Sequence, residues 1–234
     1  MRRQKTDPKD HWLDYAQKSY GLDLVEDTKA SLNVLVMLLP IPMFWTLHMQ
    51  QGSRFVFQAT RMDGDLGWYT IKPDQMIIFN SLFSILLVPV YERIFYPILA
   101  KVGVNTPLRK VSCGLFLAAS AFVLAALTEF RINTHDKVHI LFLVPQYAVL
   151  VMAEIMVYIP CMNFAYNEAP SNMKSVMVAF VYLTMAVGNL FMVFISGSRL
   201  FESQIHEFLF FACLMVIDTF VFIFLALNYT YAKR

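Results

Sequence analysis

Long apolar stretches alternate with short polar breaks along almost the whole chain. Apolar runs extend near residues 32–51, 76–100, 110–130, 139–164, 174–197 and 207–230. Each approaches the roughly 20 residues a helix needs to cross a hydrocarbon core of about 30 Å. The breaks between them, DGDLGWYTIKPD, KVGVNTPLRK, INTHDK, NEAPSNMK and GSRLFESQ, carry the turn and charged residues. Backbone groups cannot stay unpaired in lipid, so the pattern predicts an all-α integral membrane protein, a bundle of six transmembrane helices. Residues 1–31 are polar and of mixed charge, without a signal peptide. They read as a leader on the cytoplasmic side, either a linker or a short amphipathic helix presenting Trp12, Leu13, Tyr15 and Ala16. Residues 32–230 form the bundle, and 231–234 a short tail.

Composition strengthens this reading. Apolar residues make up 58% of the chain and charged residues 15%, against about 45–50% and 25% in soluble domains. The net charge of +2 includes no basic cluster that would hold nucleic acid. Three cysteines, Cys113, Cys161 and Cys213, all fall in apolar runs and match no metal or disulfide pattern. No catalytic triad, phosphate loop or metal-ligand spacing appears, so an enzyme is not expected. Lys and Arg are divided twelve to six between the side bearing the termini and the other side, which predicts cytoplasmic termini.

Ionisable groups inside spans are costly, about 2.5 kcal/mol or more at a helix centre, and each needs a partner, water or a task. Glu154, midway along the fourth span in QYAVLVMAEIMVYIP, has no basic residue within two turns of its own helix. It is the leading candidate for a polar cavity, able to exchange protons or to offer its anion to a cation. Asn80 on the second span and Trp45 on the first supply an amide and an aromatic wall, types that also occur in plain packing. Glu92 and Arg93, two-thirds along the second span, read either as a structural polar pair near the interface or as part of a gate. Asp218, in the sixth span, is expected to be bonded to a neighbouring helix with no part in transport. Prolines 40, 42, 89, 97, 145 and 160 mark kinks or bending points.

The strings HWLDYAQKSYG, PIPMFWTLHMQQGSRFVFQAT, IKPDQM, VPVYERIFYPILAK, VPQYAVLVMAEIMV, AYNEAPSNMKSV and LTMAVGN together resemble the animal-type proton-coupled oligopeptide transporters, over nearly the whole chain. The resemblance implies one half of a major facilitator fold, spans seven to twelve of a twelve-span carrier. It implies symport of di- and tripeptides, with protons as coupling ion and no other cofactor, in the plasma membrane. The implied surroundings are small peptides, the lipid bilayer and an amino-terminal six-helix half. By position, Glu154 matches the carboxylate that receives the peptide amino terminus, Asn80 an asparagine sharing that task, and Trp45 an aromatic of the cavity. Glu92 matches an acid that pairs with an arginine on the preceding span.

Departures accompany the matches. Asn33 stands where that arginine is usual, and Arg93 where an alanine-like residue is usual. Met49 replaces an aspartate, Asn163 a glutamate and Val181 a cavity tryptophan, while Asp218 is an added carboxylate. Asn33 and Glu92 are expected to approach within reach of a hydrogen bond, direct or through water. Two alternatives accompany the symporter: a non-transporting half that binds or regulates a full carrier, and a carrier of another small substrate.

Overall fold

The computed structural model describes residues 12–135, 137–197, 201 and 203–231. Residues 1–11 of the leader, Arg199 of the basic-residue comparison and residues 232–234 of the tail lie outside them. Six helical segments are long and apolar enough to cross a membrane: Leu22–Ala59, Pro73–Lys101, Pro107–Thr134, Ile140–Glu168, Lys174–Ile195 and Gln204–Asn228. The expected six-span bundle is therefore present, and the protein is a multi-pass membrane protein.

The first span differs from expectation at its start. It begins at Leu22, ten residues before the apolar run, because nothing between Gly21 and Pro40 breaks a helix. Charges on the added turns are matched locally: Lys29 Nζ lies 2.6 Å from Asp14 and 2.8 Å from Glu26. The leader beyond Gly21 is also helical, as Trp12–Ala16 and Gln17–Tyr20, with Trp12 and Tyr15 exposed.

Further along, the first span is interrupted twice. Leu22–Leu38 ends in a bend at Pro40, the helix resumes as Ile41–His48, and it tightens to a 3-10 turn at Met49–Gly52 before Arg54–Ala59. Prolines explain the first break, since they remove a backbone donor and crowd the preceding turn. The second span contains Pro89 and, directly after it, a π-helical turn at Tyr91–Phe95. Proline at the first or second position opens the third and fourth helices, Pro107–Thr134 and Val144–Glu168, where a missing N–H costs nothing.

The third span packs most extensively, against the fourth and the sixth, and the first packs on the fifth. Small residues allow these approaches, as in membrane bundles generally. A Cβ on Gly188 would stand 2.6 Å from Pro42 O and from Trp45 Cβ. Thr46 reinforces that crossing, its hydroxyl 3.1 Å from Gly188 O. A Cβ on Gly114 would meet Val157 Cγ2 at 2.7 Å, locking the third span to the fourth. Around the end remote from the termini, Phe55, Phe122, Tyr147, Phe208 and Phe211 interlock as the aromatic part of the core. Burial is uneven: the apolar window of the second span is 6% buried and that of the fifth 17%, against 50–56% for the first, third and fourth.

Candidate functional site

Glu154 is the centre of a small polar cluster midway along the fourth span, built from three helices. Its Oε2 lies 3.1 Å from His48 Nε2 on the first span, and Asn80 Nδ2 of the second span donates to the same oxygen at 3.5 Å. The carboxylate keeps 27% of its side-chain surface open, while His48 is nearly sealed. Sequence reasoning joined Glu154 to Asn80 and the structure brings them together. The absence of a basic group within its own helix, however, concealed a partner 106 positions earlier in the chain, His48. The signal available was its position, one turn after Trp45 inside an apolar run.

Trp45 forms the wall of this cluster. It is buried, meets His48 edge-on at 5.6 Å and Tyr158 at 5.9 Å, and its Nε1 is buried without a hydrogen-bond partner among the described residues. Phe44 stacks on the His48 ring at 5.8 Å. Tyr158, one turn beyond Glu154, places its hydroxyl 3.4 Å from that of Tyr182 on the fifth span. Neither tyrosine was singled out in the sequence. The neighbouring departure, Val181, is 1% exposed and packs into the core, so Tyr182 is the residue of that pair on the open side.

The remaining candidates stand apart from Glu154. Asn33 is exposed and lines a shallow depression with Glu26, Lys29, Glu168 and Tyr229. Glu92 and Arg93 are exposed on the π-helical turn of the second span. Among the described residues no hydrogen bond joins Asn33 to Glu92: the structure does not bring the two into direct contact. The helices explain this separation, because the second span packs on the fourth, whereas Leu22–Leu38 packs on the fifth. Asp218, expected to bond a neighbouring helix, has a buried Oδ2 with no such partner and lines an apolar cavity of about 510 Å³ with Leu38, Met43 and Phe180.

A second polar region, unforeseen, lies at the end remote from the termini. Arg61 pairs with Glu129, which is 1% exposed, and Gln58 donates to Glu129 at 3.1 Å and to Ala125 O at 3.0 Å. Gln146 donates to Gln58 at 3.1 Å, and Gln204 accepts from Arg61 at 2.5 Å. Arg54 Nε lies 2.9 Å from Glu207 Oε1. Four spans are tied together by this belt.

A six-helix membrane bundle with a broken first helix and a half-open carboxylate at mid-depth has the form of one half of a major facilitator carrier. A family model described as "POT family" matches residues 2–204, and the chain belongs to that family. It is 44% identical over 124 residues to solute carrier family 15 member 2 of Mus musculus, covering 53% of this chain and 17% of the relative. To peptide transporter family 1 of Drosophila melanogaster it is 44% identical over 133 residues, 57% of this chain and 18% of the relative. Among solved structures, an auto-inhibited POT family peptide transporter superposes with a TM-score of 0.86 at 26% identity, over 95% of this chain and 45% of that one. The POT family transporter PepTSo gives 0.83 at 25% identity, over 92% and 45%. These neighbours are transporters and not enzymes, and the chain spans less than half of their length.

Proposed function

We propose that this chain is the carboxyl-terminal half of a proton-coupled symporter of di- and tripeptides, in the plasma membrane with both termini cytoplasmic. Glu154 receives the peptide amino terminus, Asn80 shares that contact, and Trp45 walls the cavity. The observation that carries the reading is the state of Glu154: one carboxylate oxygen is held by two neighbouring helices, and the group still keeps an open surface at mid-depth. A desolvated carboxylate in that position forms a charge-assisted hydrogen bond with an ammonium. Relatives named as peptide transporters support the substrate class. The sparse burial of the second and fifth spans supports a second six-helix bundle as partner, since carriers place their sites between two such halves. Glu92, Arg93 and Asn33 belong to gating, each acting from its own exposed position.

In the complete protein carrying this chain, Glu154→Gln should cut uptake of the dipeptide Ala-Ala at least tenfold with surface expression unchanged. Uptake at the parent level in that variant defeats the assignment. Ala-Ala uptake should also rise when an inward proton gradient is imposed and collapse with a protonophore, and uptake indifferent to both removes the coupling.

A further inference from the structure

The two oxygens of Glu154 are treated differently. Oε2 has two partners, His48 and Asn80, whereas among the described residues no hydrogen bond reaches Oε1. His48 is held firmly in place, buried to 4%, with Phe44 stacked on its ring and Trp45 against its edge. Gln51 Nε2 lies 3.3 Å and 3.5 Å from its two nitrogens. A carboxylate accepts only, so the neutral ring presents its N–H at Nε2 and keeps Nδ1 as an acceptor for the Gln51 amide.

We propose that His48 is a positioning residue and a proton-linked counter-cation for Glu154. As neutral imidazole it holds Oε2 and leaves the anionic charge to an incoming substrate ammonium. As imidazolium it neutralises Glu154 and repels that ammonium. The inference rests on reading Glu154 as the amino-terminus site. Its physical core is charge: the pair carries −1 in the first state and 0 in the second, and a cation binds the first better. By reciprocity, a bound ammonium drives the proton off His48.

The surroundings leave His48 as the group that changes charge. Glu154 is the one charged side chain bonded to it among the described residues. Tyr158 on the fourth span and Tyr182 on the fifth are the other titratable groups nearby, and the second span contributes the neutral Asn80. From the third and sixth spans, no charged side chain bonds to the ring among the described residues. Arg54 and Arg61, further along the same polypeptide, are committed to Glu207 and Glu129.

The test measures Ala-Ala affinity of the complete protein in lipid nanodiscs at pH 7.5 and pH 5.5, a range in which imidazoles change charge. His48→Gln retains an N–H donor for Oε2 and cannot titrate. Its affinity at pH 7.5 should stay within about threefold of the parent. The ratio of affinities, pH 7.5 over pH 5.5, should be about tenfold larger in the parent than in His48→Gln. Protons bound elsewhere affect both proteins and cancel in that comparison. His48→Asn, a shorter amide, carries the same test if the glutamine variant misfolds. Equal ratios in parent and variant overturn the proposal. Normal Ala-Ala affinity in Glu154→Gln would instead overturn the amino-terminus reading itself, so the two failures are distinguishable.

Discussion

Glu129 and Glu154 are carboxylates on neighbouring membrane-spanning helices, and their surroundings are opposite. Glu129 is saturated: Arg61 pairs with one oxygen, Gln58 donates to the other, and 1% of the residue is exposed. Glu154 is held by one oxygen only and keeps 27% of its side chain open. A buried charge needed for folding is worth retaining only when every lone pair is used, because an unmatched one costs more than the pairing returns. A charge that must meet a ligand has to remain incomplete until the ligand arrives. Asp218 fits neither pattern, since it has a buried oxygen without a partner in an otherwise apolar cavity.

The sharpest way to break this contrast is to remove Glu129. Glu129→Ala should destabilise the protein by about 3 kcal/mol, the low end for a broken buried pair because Arg61 keeps partial access to water. Thermal unfolding of the purified protein should show that loss, whereas Glu154→Gln should melt close to the parent. Equal melting of all three proteins would erase the distinction. Gly188→Val comes next: its Cβ would press on Pro42 O and Trp45 Cβ, costing about 1–3 kcal/mol and displacing the wall of the site. Both the melting temperature and Ala-Ala uptake should fall, and a variant normal in both would show that the crossing is looser than described.

Much of the comparison was invisible in one sequence, for reasons specific to each residue. The six spans were legible because hydrocarbon demands long apolar runs. The start at Leu22 was missed because hydrophobicity stops at Ser31 while the helix does not. Glu154 and Asn80 were legible from depth and from family strings, and the structure joins them through one hydrogen bond. His48 escaped because an imidazole within an apolar run announces no partner, and its carboxylate lies on another helix. Arg54 and Arg61 were counted only as loop charges, since counting cannot show that Glu207 and Glu129 fold back to meet them. Asn33 and Glu92 were joined by analogy with an ion pair, and their helices pack on different neighbours.

Two smaller effects sharpen the picture of Glu154. Asn80→Ala removes a long hydrogen bond of 3.5 Å, so the KM for Ala-Ala should rise by about two- to fivefold with maximal rate unchanged. A larger loss confined to maximal rate would mean that Asn80 acts in movement and not in binding. Smallest of all, Asp218→Asn should alter uptake by less than about twofold, because no partner is lost. A loss comparable to that of Glu154→Gln would place Asp218 among the working carboxylates.

The two interruptions of the first span have a mechanical consequence. Ile41–His48 is a rod of eight residues, about 12 Å long, bounded by the bend at Pro40 and the 3-10 turn at Met49–Gly52. Glu154, by contrast, sits within the continuous helix Val144–Glu168. Pivoting the rod by about 20° at its proline end would sweep His48, at the far tip, through about 4 Å. That travel exceeds the 3.1 Å separating the imidazole from the carboxylate, while Trp45, halfway along, would move about half as far. A small rotation at one proline thus acts as a lever: it releases the anion before it disturbs the aromatic wall beside it.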